Sequence, residues 1–307
     1  MNHYVIRSDD TTLQIWSGKR IQHGDESRSE WQRALKHEAK QAFSNLNVTT
    51  GAALGTSYST TSPLSAGAGD AENSLFTNMV EAIPRAFTTL RFERNTGALK
   101  PPPVPIELSS GHLHYYRYTV GGMWTVWEPD RTLASWTRVP RRIAVGSDTA
   151  RPVWFALREA NARQVVSVSR DCALEADAKF GIRVTIHAAK GRSHNAITNS
   201  EFGIDGAIAA FHNDRLSDEL VAAMLPKLPS VTLFQLREAL GRVAGPVFPT
   251  PAVTISASGA IWINPDDERC WVGEYAVRQN DSTSQWPEVS GELFTIRPAT
   301  HAPTGRQ

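Results

Sequence analysis

The chain has 307 residues, 41% of them hydrophobic with nine Trp, which suits two domains with filled cores better than one. Its 32 basic and 31 acidic side chains leave a formal charge of +1, excluding a globally basic polyanion binder, so any nucleic-acid contact must come from a local patch. Two distant cysteines, Cys172 and Cys270, exclude a disulfide framework, and the lack of an apolar leader or an apolar run of about 18 residues argues for a cytoplasmic protein without a membrane partner.

In chain order, residues 3–7 and 12–16 are expected as short strands with a turn at Ser17-Gly18-Lys19. Over 26–44, Trp31, Leu35, Ala39, Ala42 and Phe43 share one face, which predicts an amphipathic helix. Asn47–Thr50 is expected to begin a strand. Residues 55–69 are almost entirely Gly, Ser, Thr and Ala and are expected to form a loop, since nothing in them can bury much surface. A helix over 73–83 is expected to end at Pro84, followed by a half-buried strand at 90–94 and an extended Pro-rich connector at 100–105. His112–Val120 is read as a strand that turns at Gly121-Gly122 and returns through Met123–Trp127. Leu133–Val139 adds one more.

The boundary between halves is placed at 140–150, where Pro140-Arg141-Arg142 and Gly146-Ser147-Asp148 break the pattern. Beyond it come a helix at 152–161, strands at 164–168 and 181–187, and helices at 217–225 and 232–241. Val253–Ser256 and Ile261–Ile263 flank a turn at Ser258-Gly259, and a last strand runs from Trp271 to Arg278. The tail after about 298 is expected to be disordered.

One stretch occurs twice. The first copy runs from Asp70-Ala71-Glu72-Asn73 to Phe87, the second from Asn195 through Asp205-Gly206-Ala207-Ile208 to Phe211. Each follows a strand and a polar loop and opens an apolar helix, as expected of two related halves. Helix capping alone accounts for Asp-x-Glu-Asn at 70–73. Carboxylates two residues apart can also hold Mg²⁺ between them.

These residues resemble the RusA-type Holliday-junction resolvases, whose motif Asp-x-Asp-Asn-x-x-Lys-x-x-x-Asp precedes a hairpin of the form Trp-x-Asp-Asp. Asp70-Ala71-Glu72-Asn73 matches the opening, Asp205-Gly206-Ala207-Ile208 the late Asp, and Ile261-Trp262-Ile263-Asn264-Pro265-Asp266-Asp267 the acidic hairpin. Neither half is complete. Phe76 and Glu201 stand at the Lys position, Val80 at the first half's late Asp, and Asn195, Ile197 and Thr198 at the second half's opening. Each active site of that family lies within one subunit, so the two partial sets are expected to stay apart.

The resemblance implies an α+β fold of two RusA-like domains, 1–145 and 146–298, each a mixed sheet with helices on one face, arranged as a pseudo-dimer ahead of a tail at 299–307. It implies a protein that binds duplex or branched DNA, a subunit of a bacterial DNA-processing or defence system, with a degraded nuclease centre. A surviving centre would use Mg²⁺ held by Asp70 and Glu72 in the first half and by Asp205, Asp266 and Asp267 in the second, as a metal-dependent endonuclease. Arg141 and Arg142, with Lys190, Arg192 and His194, form two basic loops suited to phosphates, although such clusters also serve as solvated surface. His112-x-His114 lacks a third nearby ligand, and Tyr115-Tyr116-Arg117-Tyr118 suits a packed sheet face. The competing class is a protein-interaction scaffold, for which nine Trp and Pro-rich connectors at 101–105 and 246–251 are equally suited.

Overall fold

The computed structural model describes residues 3–23, 29–61, 70–97, 102–108, 114–143, 149–192, 194–214, 216–241, 245–279 and 284–300. Strands β1 (Tyr4–Ser8) and β2 (Thr12–Ser17) form a hairpin whose turn is set by Asp9, its carboxylate accepting from the amides of Thr11 and Thr12, each at 2.8 Å. Helix α1 (Glu30–Ser44), strand β3 (Ala53–Thr60), a short α2 (Ala71–Leu75) and β4 (Thr89–Arg94) follow, then β5 (His114–Val120) and β6 (Trp127–Pro140). Next come α3 (Arg151–Ala162), β7 (Ser167–Val168), β8 (Phe180–Ala188), α4 (Ala196–Ala209), α5 (Asp218–Met224) and α6 (Leu233–Gly241). The hairpin β9 (Val253–Ile255) and β10 (Ile261–Ile263) stands apart, and β11 (Cys270–Gln279) and β12 (Glu288–Pro298) close the chain.

The fold is α+β, with six α-helices among the described residues and one ten-stranded mixed sheet in the order β1-β2-β5-β3-β4-β11-β8-β12-β6-β7. On one side β3 and β4 are parallel and β5 runs antiparallel to β3; on the other β8 and β11 are parallel and β12 runs antiparallel to β8. The sides meet where β4 pairs antiparallel with β11, Val272 opposite Glu93 through Ala276 opposite Thr89. Helices pack on the face that carries Tyr118, Phe92, Tyr275 and Trp136, through Phe43 on Tyr118, Phe76 on Phe92, Phe211 on Trp136, and the close approach of Gly203 to Tyr275. The opposite face carries cross-strand ion pairs, Arg91–Glu274 at 2.6 Å and Arg183–Glu292. One continuous apolar core runs from Leu13 to Leu293, where composition suggested two. No helix among the described residues is long and apolar enough to cross a membrane.

Several expectations are corrected. Residues 55–60 of the stretch expected to be a loop belong to β3 (Ala53–Thr60), near the middle of the sheet, while 62–69 lie outside the described residues. Small side chains are what that position needs: a Cβ on Gly55 would stand 2.5 Å from the Gly122 backbone, while Leu54 and Tyr58 supply the burial. The helix over 73–83 shrinks to α2 and a 3-10 turn at Thr77–Met79, because Asn, Ser and Thr are poor helix interiors and Asn73 bonds back to Asp70. Strand β4 is nearly wholly buried, Glu93 and Arg94 included.

No hairpin return pairs with β5. The Glu93 carboxylate captures the amides of Thr125 (2.9 Å) and Val126 (3.0 Å) and the Thr125 hydroxyl (2.6 Å), drawing the chain across the sheet so that β6 pairs with β12 and β7. Strand β6 thus lies before residue 145 in sequence but among the strands that follow it. The final strand is β12, which the sequence pattern did not show, since Ser290, Gly291 and Glu292 interrupt its apolar alternation. His112, the start of the long helix at 26–28 and the tail at 301–307 lie outside the described residues.

The β4–β11 seam is tight: a Cβ on Gly273 would stand 2.1 Å from Cε1 of Phe92. Gly273→Ala is expected to displace Phe92 and cost about 1–3 kcal/mol, measured as a lowered urea midpoint with an unchanged slope.

Candidate functional site

Asp70 is the N-cap of α2. Its backbone is extended (φ −73°, ψ 160°), and its carboxylate accepts from the Asn73 amide and, at 2.6 Å, from Asn73 Nδ2. Glu72, in the first turn, points into the protein, where Oε1 accepts from the Ser200 hydroxyl of α4. A second link between these segments runs from Thr77 Oγ1 to Glu201 Oε2 at 3.1 Å. One turn beyond Glu201, α4 presents Asp205, and the 3-10 turn before β11 presents Asp267. Asp70, Glu72, Asp205 and Asp267 line one narrow cleft with Phe92, Ile204 and Cys270, too tight as it stands to admit a water molecule.

Burial and mutual repulsion govern these acids. Burial, then the charge of Asp70 and a hydrogen bond with it, push Asp267 up to about 8. Burial followed by the Asp70 charge holds Glu72 well above the usual carboxylate range, opposed by the Ser200 hydrogen bond. Asp205 is raised by burial and then by Asp267, Glu72 and Asp70. Burial also raises Glu201 and the Cys270 thiol. Carboxyls this close in an apolar pocket either share protons or are neutralised by a cation.

The residues expected from sequence divide clearly. Asp70 and Glu72 from one side of the sheet meet Asp205 and Asp267 from the other, so the two partial sets, expected to stay apart, combine. The cause is the β4–β11 seam, which sets α2 beside α4. Asp266 does not join them: at φ 53° its side chain turns away, accepting from Thr250 Oγ1 at 2.9 Å and facing Arg269 at 3.6 Å. Arg142, Lys190 and Arg192 are exposed, and Arg141 and His194 half-buried, near the start of α4. Burial lowers the pKa of both half-buried groups, and Arg141 and Arg192 lower His194 further. Asn195 caps α4 ten residues before Asp205, about 15 Å along the helix axis, so this basic group stands away from the cleft.

Sequence reasoning missed Ser200 and Glu201, and also Arg20, which donates to Ser74 Oγ of α2 at 3.1 Å, and Arg94 at the end of β4. The elements carrying them were visible, but no local spacing links 20, 94 and 200. His114, for which the sequence shows no third nearby ligand, is buried with Nδ1 3.0 Å from the Tyr58 hydroxyl. The four carboxyls of the cleft are oxygen donors of the kind that suit a hard cation such as Mg²⁺, although the Cys270 thiol also lines it. Among the described residues, no group of three or more His, Cys, Asp or Glu is disposed so as to hold a metal ion. No family model, curated protein or solved structure matches the chain.

A folded-state pKa near 8 for Asp267, above its unfolded value, means that the native state binds the extra proton. The resulting stability is complete below about pH 4 and is lost as pH rises through 8. Without divalent cations, Asp267→Asn is therefore expected to melt higher than wild type at pH 8.5, with the difference shrinking toward pH 5. Mg²⁺ is expected to raise the wild-type midpoint more at pH 8.5 than at pH 5; differential scanning calorimetry across that range checks both.

Proposed function

We propose that the protein is a divalent-cation-dependent nucleic-acid phosphodiesterase, built from two RusA-like halves that share a single composite centre. The observation that carries this function is the convergence of Asp70, Glu72, Asp205 and Asp267 in one cleft. Two degraded centres would have no physical reason to collect their remaining acids at one place, where burial makes Glu72, Asp205 and Asp267 harder to ionise. The tandem architecture is supported by the matching strand patterns, β3-β4-β5 and β8-β11-β12, and by the equivalent caps, Asp70 on α2 and Asn195 on α4. On this view the halves join in the segment 121–126, since β6 pairs only with β12 and β7.

A hard cation held by Asp70, Asp205 and Asp267 would supply the charge that a scissile phosphate requires and would make water a better nucleophile. Glu72 would be fixed by Ser200 and complete the oxygen set. In the metal-free cleft Asp267 shares a hydrogen bond with Asp70 and holds its proton up to about 8, and a bound cation would displace that proton. Duplex DNA and branched DNA are the substrates to try first.

Cleavage of both DNAs should depend on Mg²⁺ or Mn²⁺. Asp70→Asn and Asp267→Asn should each reduce it by more than the roughly 10–100-fold seen when groups behind a metal's ligands are removed. Asp266→Asn should cleave like wild type. The proposal fails if wild type cleaves neither DNA with either cation, or if Asp266→Asn is as impaired as Asp267→Asn.

A further inference from the structure

The helices leave one face of the sheet uncovered, and beside β3 that face is hollow. Leu54 and Tyr58 of β3 belong to the core, so Gly55, Ser57 and Ser59 point to the uncovered side. The register sets those three opposite Thr119, Arg117 and Tyr115 of β5. On the other flank Gly55 and Ser57 stand level with Arg91 and Glu93 of β4. A strand of small side chains between two strands of large ones leaves a trough, here of about 240 Å³, which Met123 and Pro102 also line. Gly55 is demanded by the Gly122 backbone packed on it, but the room beside Ser57 and Ser59 is filled by no described side chain.

The donors of the trough are unused. Arg117 is exposed and makes no hydrogen bond or ion pair with a described residue, and the hydroxyls of Ser57, Ser59 and Thr119 donate to none. Glu93 does not neutralise Arg117. β3 lies between their strands and sets their Cα atoms about 9–10 Å apart. The Glu93 oxygens already accept from Thr125 and Val126. An arginine fork beside free hydroxyls fits the oxygens of a phosphate or a carboxylate.

The trough also holds an acceptor. Asn95 follows Arg94, the partner of Tyr58, and so stands level with Ser59, about 7 Å along the strands from Ser57. It is buried, and its Oδ1 has no hydrogen-bond partner. A buried amide oxygen beside a polar hollow is completed by a donor from outside the chain.

We propose that this trough binds a small hydroxylated organic anion. Its phosphate or carboxylate rests on Arg117 and Ser57, and its body lies past Ser59 with a hydroxyl donating toward Asn95. The acidic cleft lies on the helix-covered side of the sheet, floored by Phe92, so this site stands apart from the nuclease function proposed above and does not rest on it.

The test is thermal unfolding of the full chain with ribose 5-phosphate, gluconate, inorganic phosphate or neutral ribose, each in chloride at matched ionic strength, with calorimetric titration for affinity. Ribose 5-phosphate or gluconate should raise the wild-type midpoint more than inorganic phosphate or ribose does, and the larger rise of the two tells phosphate from carboxylate. Arg117→Gln should weaken that binding about 10–100-fold, the worth of a hydrogen bond to a charged group, and Arg117→Lys should restore part of it. Ser57→Val, which suits a strand but fills the trough, should abolish the rise while the unliganded midpoint stays at or above that of wild type. A wild-type midpoint indifferent to all of these compounds, or an Arg117→Gln variant that responds like wild type, overturns the proposal. A rise as large with inorganic phosphate or ribose alone also overturns it, because the joined head and body would then add nothing.

Discussion

The antiparallel pairing of β4 with β11 is the contact on which the rest of the molecule depends. It converts two groups of strands into one sheet, lets one core run through both, and sets α2 against α4. The pairing is close because Gly273 leaves room for the Phe92 ring. Phe92 is then both a seam residue and the floor of the acidic cleft. Stability and site are therefore coupled: a shift of the seam moves Asp267 relative to Asp70 before it exposes any core.

Gathering acids in an apolar cleft opposes folding, and the structure offsets this locally. Asp70 caps a helix, Glu72 receives a hydroxyl, and Asp267 shares a hydrogen bond with Asp70. None of these removes the repulsion. Strain retained at one site while the surrounding core is continuous is the usual pattern where local chemistry is set by something other than stability. The buried Arg158 provides the contrast. It donates to five backbone carbonyls, of Ala210, His212, Asp214, Ala239 and Leu240, and so closes the ends of α4 and α6. That arginine is structural, and nothing acidic crowds it in the way the cleft's groups crowd each other.

Much of the element list was legible because apolar periodicity is local. Helices α1, α3, α5 and α6 and strands β1, β2, β5 and β8 lie where the pattern places them. What failed depends on distant partners. β3 reads as a loop because it is rich in small residues, of which Gly55 is required by the Gly122 backbone against it, and the expected hairpin fails because Glu93 captures the next segment from across the sheet. The same holds at the site. Asp70, Glu72, Asp205 and Asp267 could each be named from sequence, but their convergence is a property of strand order, and the β4–β11 pairing of Glu93 with Val272 leaves no local trace. Asp266 and Asp267 are adjacent and chemically alike, and only a left-handed backbone at Asp266 separates their fates.

The strand order also fixes when the cleft can exist. Asp70 and Glu72 are made early in the chain, but β11, which brings Asp267 into place, is the eleventh of twelve strands. A nascent chain that has already folded β1 through β5 holds only half of the acids. Closure then waits for one of the longest-range pairings in the molecule, the kind of contact that forms late and slowly. The chain thus carries its own delay, and no fragment that lacks β11 has the pairing that brings the four carboxyls together.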